Sequence, residues 1–234
     1  MKTKPIMHGY YVFSPATRLF HWNLVICIFL LFFTGLYIGN PFFIGSSGVE
    51  PTYAVNNLLS MENIRYVHFL AGYILMASLI LRLYGFITHK GDRLFPKFWT
   101  RGYWDGLIDT QLHYMFLRTK HKPYLRNSLA RTGYASVYGM ILLEGVTGFA
   151  MYAMIRPNGA GAQMINPVNH WLVDEYMVHV IHHYVAWMIM LFVIVHVYMV
   201  FRADVMEKGG ETSGMISGRK FYEEEPVDHR DLGE

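Results

Sequence analysis

The stretch HHYVAWMIMLFVIVH, residues 182–196, sets three histidines in what is otherwise hydrocarbon. Imidazole is a hydrogen-bonding group and the commonest metal ligand, and apolar surroundings offer it neither a partner nor an ion. Helix geometry sorts the three. Fourteen residues turn an α-helix through about 1400°, roughly 40° short of four turns, and advance it about 21 Å. His182 and His196 therefore project to nearly one face at two depths. His183, thirteen residues before His196, is rotated by roughly 220° and faces elsewhere. The fourteen-residue interval also separates His21 from Gly35 and His68 from Arg82.

These intervals carry chemistry only on helices that cross an apolar layer. The chain of 234 residues is 53% hydrophobic and 16% aromatic, with a mean hydropathy of +0.22, which is more apolar than a soluble domain of this length. Four segments reach the roughly 20 apolar residues a bilayer requires: 19–38, 67–87, 134–154 and 180–201. No cleavable signal is expected, because the N-terminus MKTKPIMHGYYVFSPATR is polar and no small-residue cleavage site follows span one. Of the 20 Lys and Arg residues, all but Arg65, Arg82 and Arg156 fall in the N-terminus, the segment 89–131 or the tail from Arg202. That asymmetry places both termini and the middle loop in the cytoplasm. The net charge of +3 then reflects orientation in a membrane and not nucleic-acid binding.

Depth follows from orientation. Span one starts inside and span four ends inside, so His21 and His196 share the inner level. Spans two and four start outside, so His68 and His182 share the outer one. Two levels with two histidines each suit two bis-histidine haems stacked across a membrane. The single Cys27 cannot form an internal disulfide, a zinc site or an iron–sulfur cluster, and no C-x-x-C-H is present for covalent haem. Gly35, with Gly139, Gly145 and Gly148 on the histidine-free third span, leaves room for a porphyrin. Arg82 and Arg18 are candidate partners of inner-haem propionates. Each residue alone has a plainer reading: a histidine as an interhelical hydrogen bond, a glycine as packing, Arg82 as a side chain reaching the surface. The four histidines agree in both depth and face, which single-residue readings do not require.

Two motifs carry a resemblance. RLFHWNLVICIFLLFFTG, residues 18–35, resembles the first-helix motif of the b-type cytochrome subunits of membrane-bound nickel–iron hydrogenases, with Arg18, His21, Trp22, Thr34 and Gly35 as its marked positions. Residues 182–196 resemble their fourth-helix motif, with His182, His183, Trp187, Phe192 and His196 in register. Asn23 and Tyr184 depart from the aliphatic residues usual at those positions. The resemblance spans nearly the whole chain. It implies an all-α integral membrane protein, a four-helix bundle holding two b haems, in the bacterial inner membrane. It further implies a periplasmic partner, made of a large nickel–iron subunit and a small iron–sulfur subunit with its own transmembrane helix, in a dimer of heterotrimers. Electrons from dihydrogen would pass through this subunit to quinone. By itself the chain is then no enzyme but an electron-transfer subunit and anchor among the membrane lipids.

Other readings keep part of this plan. A formate dehydrogenase cytochrome b subunit shares the four-helix dihaem layout, and a stand-alone quinol-linked cytochrome b keeps the haems without a catalytic partner. A haem-free proton-coupled transporter would use the histidines as a relay, with Glu144 as a mid-span carrier; otherwise Glu144 is a hydrogen-bonded packing group. The segment 103–117 mixes aromatic and charged residues at helical spacing, suited to the membrane interface, and Tyr114 and His113 on it are candidate quinone-pocket residues. The first external loop, 39–63, reads as irregular, and RPNGAGAQMINP, 156–167, as turn material before a polar approach to span four. No internal repeat is visible. The chain reads as one domain of four antiparallel spans with a tail, 203–234, expected to be mobile without a partner.

Overall fold

The computed structural model describes residues 7–40, 60–88, 95–119, 122–159, 161–172 and 174–228. Ten elements follow in order: β1 (His8–Tyr11), α1 (Pro15–Gly39), α2 (Met61–Thr88), α3 (Arg101–Tyr114), α4 (Ser128–Ile155), α5 (Ala162–Ile165), α6 (Pro167–Trp171), α7 (Glu175–Glu207), α8 (Glu211–Ser217) and β2 (Arg219–Tyr222). Two compact units result, Leu19–Leu83 and the combination of Met1–Arg18 with Tyr84–Glu234.

α1, α2, α4 and α7 are long and apolar enough to cross a membrane, and less than a quarter of the most apolar stretch of each is buried. Leu19, Phe33, Leu81 and Leu191 remain largely exposed, as side chains that face lipid are. All four helices run past the expected spans because polar residues cap them outside the apolar core. Ser14 Oγ accepts from Thr17 N at 3.2 Å beside Pro15 at the start of α1. Asn127 Oδ1 accepts from Ala130 N at 2.6 Å and Asp174 Oδ1 from Met177 N at 2.8 Å. α7 ends at Lys208 in a left-handed turn, φ 54°.

In the first unit, Asn23 Nδ2 on α1 donates to Ser78 Oγ on α2 at 2.7 Å. That bond explains a polar residue where an aliphatic one is usual, since a side-chain hydrogen bond between helices contributes about 0.6–2 kcal/mol in lipid. In the second unit α4 packs along α7 and α3 against α4. Tyr103 of α3 meets Thr132 Oγ1 of α4 at 2.5 Å. Most of the loop 39–63, expected to be irregular, lies outside the described residues. The stretch 156–167, expected to be turn material, carries α5, and α6 starts at its end. They are tied down by the fully buried Asn169, whose Nδ2 donates to Ala150 O at 3.0 Å. α3 covers most of the interfacial stretch but stops at Tyr114, and Phe116 takes φ 63°.

The tail differs most from expectation. Its residues through Asp228 build a cap with the N-terminal segment instead of hanging free. β2 pairs antiparallel with β1, His8 opposite Tyr222 and Tyr11 opposite Arg219. Val12, Phe13, Leu125 and Tyr222 form its apolar centre, with Tyr10 and Met215 against them. Gly218, at φ 82°, makes the turn possible: its carbonyl accepts from Val12 N and Phe13 N at 2.8 and 3.1 Å, and a Cβ there would fall 2.8 Å from Phe13 O. Asp228 closes the cap by accepting from Leu125 N at 2.6 Å and Arg126 N at 2.9 Å, with Arg131 at 3.9 Å.

Those two bonds join a charged acceptor to backbone amides and are worth about 1.5–3 kcal/mol. Asp228→Ala should therefore raise amide hydrogen exchange at Leu125 and Arg126 by roughly tenfold to a hundredfold while the spans stay protected. Unchanged exchange at both amides would show that the strand pair holds the tail alone.

Candidate functional site

Two of the histidines occupy the same local setting on two different helix pairs. His68 lies seven residues into α2 and His182 seven into α7. His68 Nδ1 is 2.8 Å from Thr34 Oγ1 of α1, and His182 Nδ1 is 2.9 Å from Thr147 Oγ1 of α4. Each threonine stands nineteen residues into its helix and is followed by glycine. A Cβ on Gly35 would sit 3.4 Å from His68 Cε1, and one on Gly148 would sit 3.4 Å from His182 Cε1. Any side chain longer than a methyl would press on the ring. The structure thus brings out an internal repeat that is not visible in the sequence: threonine and glycine on the first helix of a pair, facing a histidine on the second.

The threonine settles which ring nitrogen carries the proton. Thr34 Oγ1 donates to Leu30 O at 2.5 Å, and Thr147 Oγ1 donates to Leu143 O at 2.8 Å. A hydroxyl has one proton, so toward the imidazole each oxygen acts as acceptor. Nδ1 then holds the hydrogen and the lone pair resides on Nε2. That is the neutral tautomer a metal-ligating histidine uses, with its far N–H held by an outer partner. These two residues fit the axial ligation of a haem iron.

His182 has a further neighbour. Glu144, one turn before Thr147, places Oε2 2.8 Å from His182 Nδ1. Its other oxygen, Oε1, is buried with no hydrogen-bond partner among the described residues. His183 faces away, exposed, in a shallow groove with His179, Val180, Tyr184 and Trp187, as its rotation from His196 predicts.

His21 and His196, the expected inner pair, are half-buried and sit among aromatic rings. Trp22 lies edge-on to His21 at 5.4 Å, and Phe192 stacks on His196 at 5.8 Å with the planes 5° apart. Arg82 is buried at 8% exposure, so it does not simply reach into solvent. Arg18 donates to the Ile216 carbonyl, and its Nε is buried without a partner among the described residues. Gly139 faces open space.

On α3, the buried His113 turns Nδ1 toward Arg118 O at 3.1 Å. The Arg202 guanidinium lies over the Tyr114 and Phe116 rings at 5.0 and 4.6 Å and donates to His113 O at 3.3 Å. Burial pushes the Tyr114 phenol up to about 12, with Glu207 and Glu211 adding to the rise and Arg202 opposing it. Sequence reasoning missed Thr147 and the attachment of Glu144 to His182. The signal available was the hydroxyl next to glycine, which recurs in spans one and three.

Residues 12–218 match the sequence family described as prokaryotic cytochrome b561. The chain is similar to a probable Ni/Fe-hydrogenase B-type cytochrome subunit of Cupriavidus necator, at 35% identity over 92% of this chain and 88% of that protein. A protein with the same description from Rhizobium leguminosarum bv. viciae is 31% identical over 92% of this chain and 90% of its own length. A probable Ni/Fe-hydrogenase 1 B-type cytochrome subunit of Escherichia coli is 30% identical over 92% of each chain.

Tyr114→Phe should remove one phenol from an alkaline titration followed by phenolate absorbance, and the missing component should lie near pH 12. Between the ordinary value of 10.0 and about 12 the folded chain keeps a proton that the unfolded chain has lost. The stability this phenol contributes is thus complete below about 10 and is lost as pH rises toward 12. The variant should show a shallower alkaline fall. A missing component near 10 would mean that the ring is solvated and that Arg202 does not cover it.

Proposed function

The chain belongs to the prokaryotic cytochrome b561 family, and from that premise we propose that it is the dihaem membrane subunit that passes electrons from a nickel–iron hydrogenase to quinone. The observation that carries this reading is the pair of histidines, His68 and His182, each held at Nδ1 by a threonine and faced by a glycine. The names of the relatives favour hydrogenase over formate dehydrogenase as the electron donor. Haem b, once bound, supplies reversible one-electron chemistry.

In this reading His68 and His182 ligate the outer haem through Nε2, and Gly35 and Gly148 keep their rings uncrowded. His21 and His196 ligate the inner haem, their rings steadied by Trp22 and Phe192. Arg82 and the Nε of Arg18 meet propionates on the inner side, where a cation offsets carboxylate charge that lipid does not solvate. Both termini and the loop 89–131 lie in the cytoplasm, where the basic residues collect. The hydrogenase, an iron–sulfur small subunit anchored by its own helix and a nickel–iron large subunit, docks on the periplasmic face of the inner membrane. Quinone is reduced near the cytoplasmic side.

The ligand assignment separates two adjacent residues. His182→Ala should lose one haem, seen as about half the reducible b-type absorbance, because the ring held by Thr147 Oγ1 would be gone. His183→Ala should keep both, since its ring looks outward. The opposite result, a haem lost with His183 and kept without His182, would overturn the assignment.

Orientation has an energetic consequence. Hydrogen oxidation outside releases protons there, while quinone reduced at the inner level draws protons from the cytoplasm. Electrons crossing inward carry negative charge through the dielectric, so a potential negative inside arises without any pumped proton. In sealed liposomes with the catalytic subunits outward and quinone in the bilayer, hydrogen should generate that potential. Hydrogen-dependent quinone reduction without a potential would put the quinone site at the outer level.

A further inference from the structure

The two helix pairs match at threonine, at glycine and at histidine, but they differ at the residue three before the threonine. On α4 it is Glu144, with Oε2 2.8 Å from His182 Nδ1; on α1 it is Leu31, whose side chain packs toward Gly72. A carboxylate in a membrane span is expensive to hold, and packing alone is served as well by leucine, as the first pair demonstrates. The placement of Glu144 is also specific. One oxygen is on the ring nitrogen that carries the proton, and the other is buried without a partner among the described residues. Its charge therefore has one outlet, the Nδ1–H bond of His182. Thr147 Oγ1, at 2.9 Å, shares that hydrogen with Glu144 Oε2, and on the first pair threonine alone fixes the tautomer, so the carboxylate is not required for orientation.

A carboxylate accepting from the far N–H of a ligating histidine draws that proton toward itself and makes the ligand a stronger donor. Donation and negative charge both favour ferric over ferrous iron. We propose that Glu144 is a tuning residue that makes His182 the more electron-donating of the two outer ligands and so lowers the reduction potential of the haem that His182 ligates. This rests on the dihaem reading above. A lower potential on the side where hydrogenase electrons arrive makes the next step inward downhill, and the buried Arg82, placed by that reading on the inner side, acts in the same sense by favouring reduction there.

The test is a redox titration of the b-type absorbance in the intact hydrogenase–cytochrome complex, for wild type and for Glu144→Gln, Glu144→Leu and His182→Ala. Glu144→Gln keeps an oxygen acceptor of nearly the same shape and removes the charge; Glu144→Leu imposes the residue found on the first pair. Both variants should retain two haems and raise the potential of one. The ferric-to-ferrous ratio of that haem should fall by about tenfold at a given potential, equal to ~59 mV for one electron. The component that moves should be the one missing from His182→Ala. Two haems with unmoved potentials in both Glu144 variants would overturn the proposal and leave the ligand assignment standing. A rise in Glu144→Leu but not in Glu144→Gln would also overturn it, because packing and not charge would then be responsible. If His182→Ala keeps both haems, the dihaem reading itself fails, and the proposal with it.

Discussion

A single hydrogen bond, Nδ1–H of a histidine to the hydroxyl oxygen of a threonine on the neighbouring helix, organises this molecule. In an apolar span an imidazole has no water to hold its N–H, so the proton must be placed by the protein. A threonine does this only if its own hydrogen is already committed, and on α1 and α4 it is, to the carbonyl one turn back. Helix geometry thus converts a hydroxyl that either gives or takes into one that only takes. Two consequences follow together: the ring is fixed across a helix pair, and its lone pair is left on Nε2. The glycine after the threonine belongs to the same device, because the helices cannot approach to 2.8–2.9 Å between side chains with a bulky residue against the ring edge.

Part of this was legible in the sequence and part was not, for definable reasons. The fourteen-residue intervals could be read because one helix turns them into direction and depth with no information about its neighbours. His183 was separated from His182 on that ground alone, and the structure turns it outward. The Thr–Gly–His repeat could not be read this way. Its members lie 34 and 35 residues apart and are linked only across two helices. Threonine also has a common plain role inside a span, bonding to its own helix. Glu144 was visible as a mid-span acid, but nothing local says which ring it meets.

The cap was misjudged for a related reason. Residues 203–228 are charged and glycine-containing, and composition of that kind suggests a free tail. Their order comes from a segment at the far end of the chain. Tyr222 and Met215 have too little apolar surface to fold alone and find Val12, Phe13 and Leu125 to cover them. The backbone of β2 finds its partner in β1. Arg126 donates to Val12 O at 2.6 Å, and Tyr222 donates to Tyr124 O at 2.9 Å. Contacts between residues about a hundred positions apart leave no periodic trace in either segment.

The repeat also sharpens the difference between the two levels. Thr34 and Gly35 correspond to Thr147 and Gly148, and His68 to His182, so each helix pair carries one threonine-held histidine on its second helix. Carried thirteen or fourteen residues along each helix, the same correspondence matches Tyr134 with His21 and His196 with Arg82. His21 and His196 therefore do not follow the repeat: one lies on a first helix and the other on a second. The positions left over hold a phenol and a guanidinium. In the proposed reading these two positions lie at the inner level, where quinone reduction would consume protons as well as electrons, so the chain departs from its own repeat where protons would be supplied.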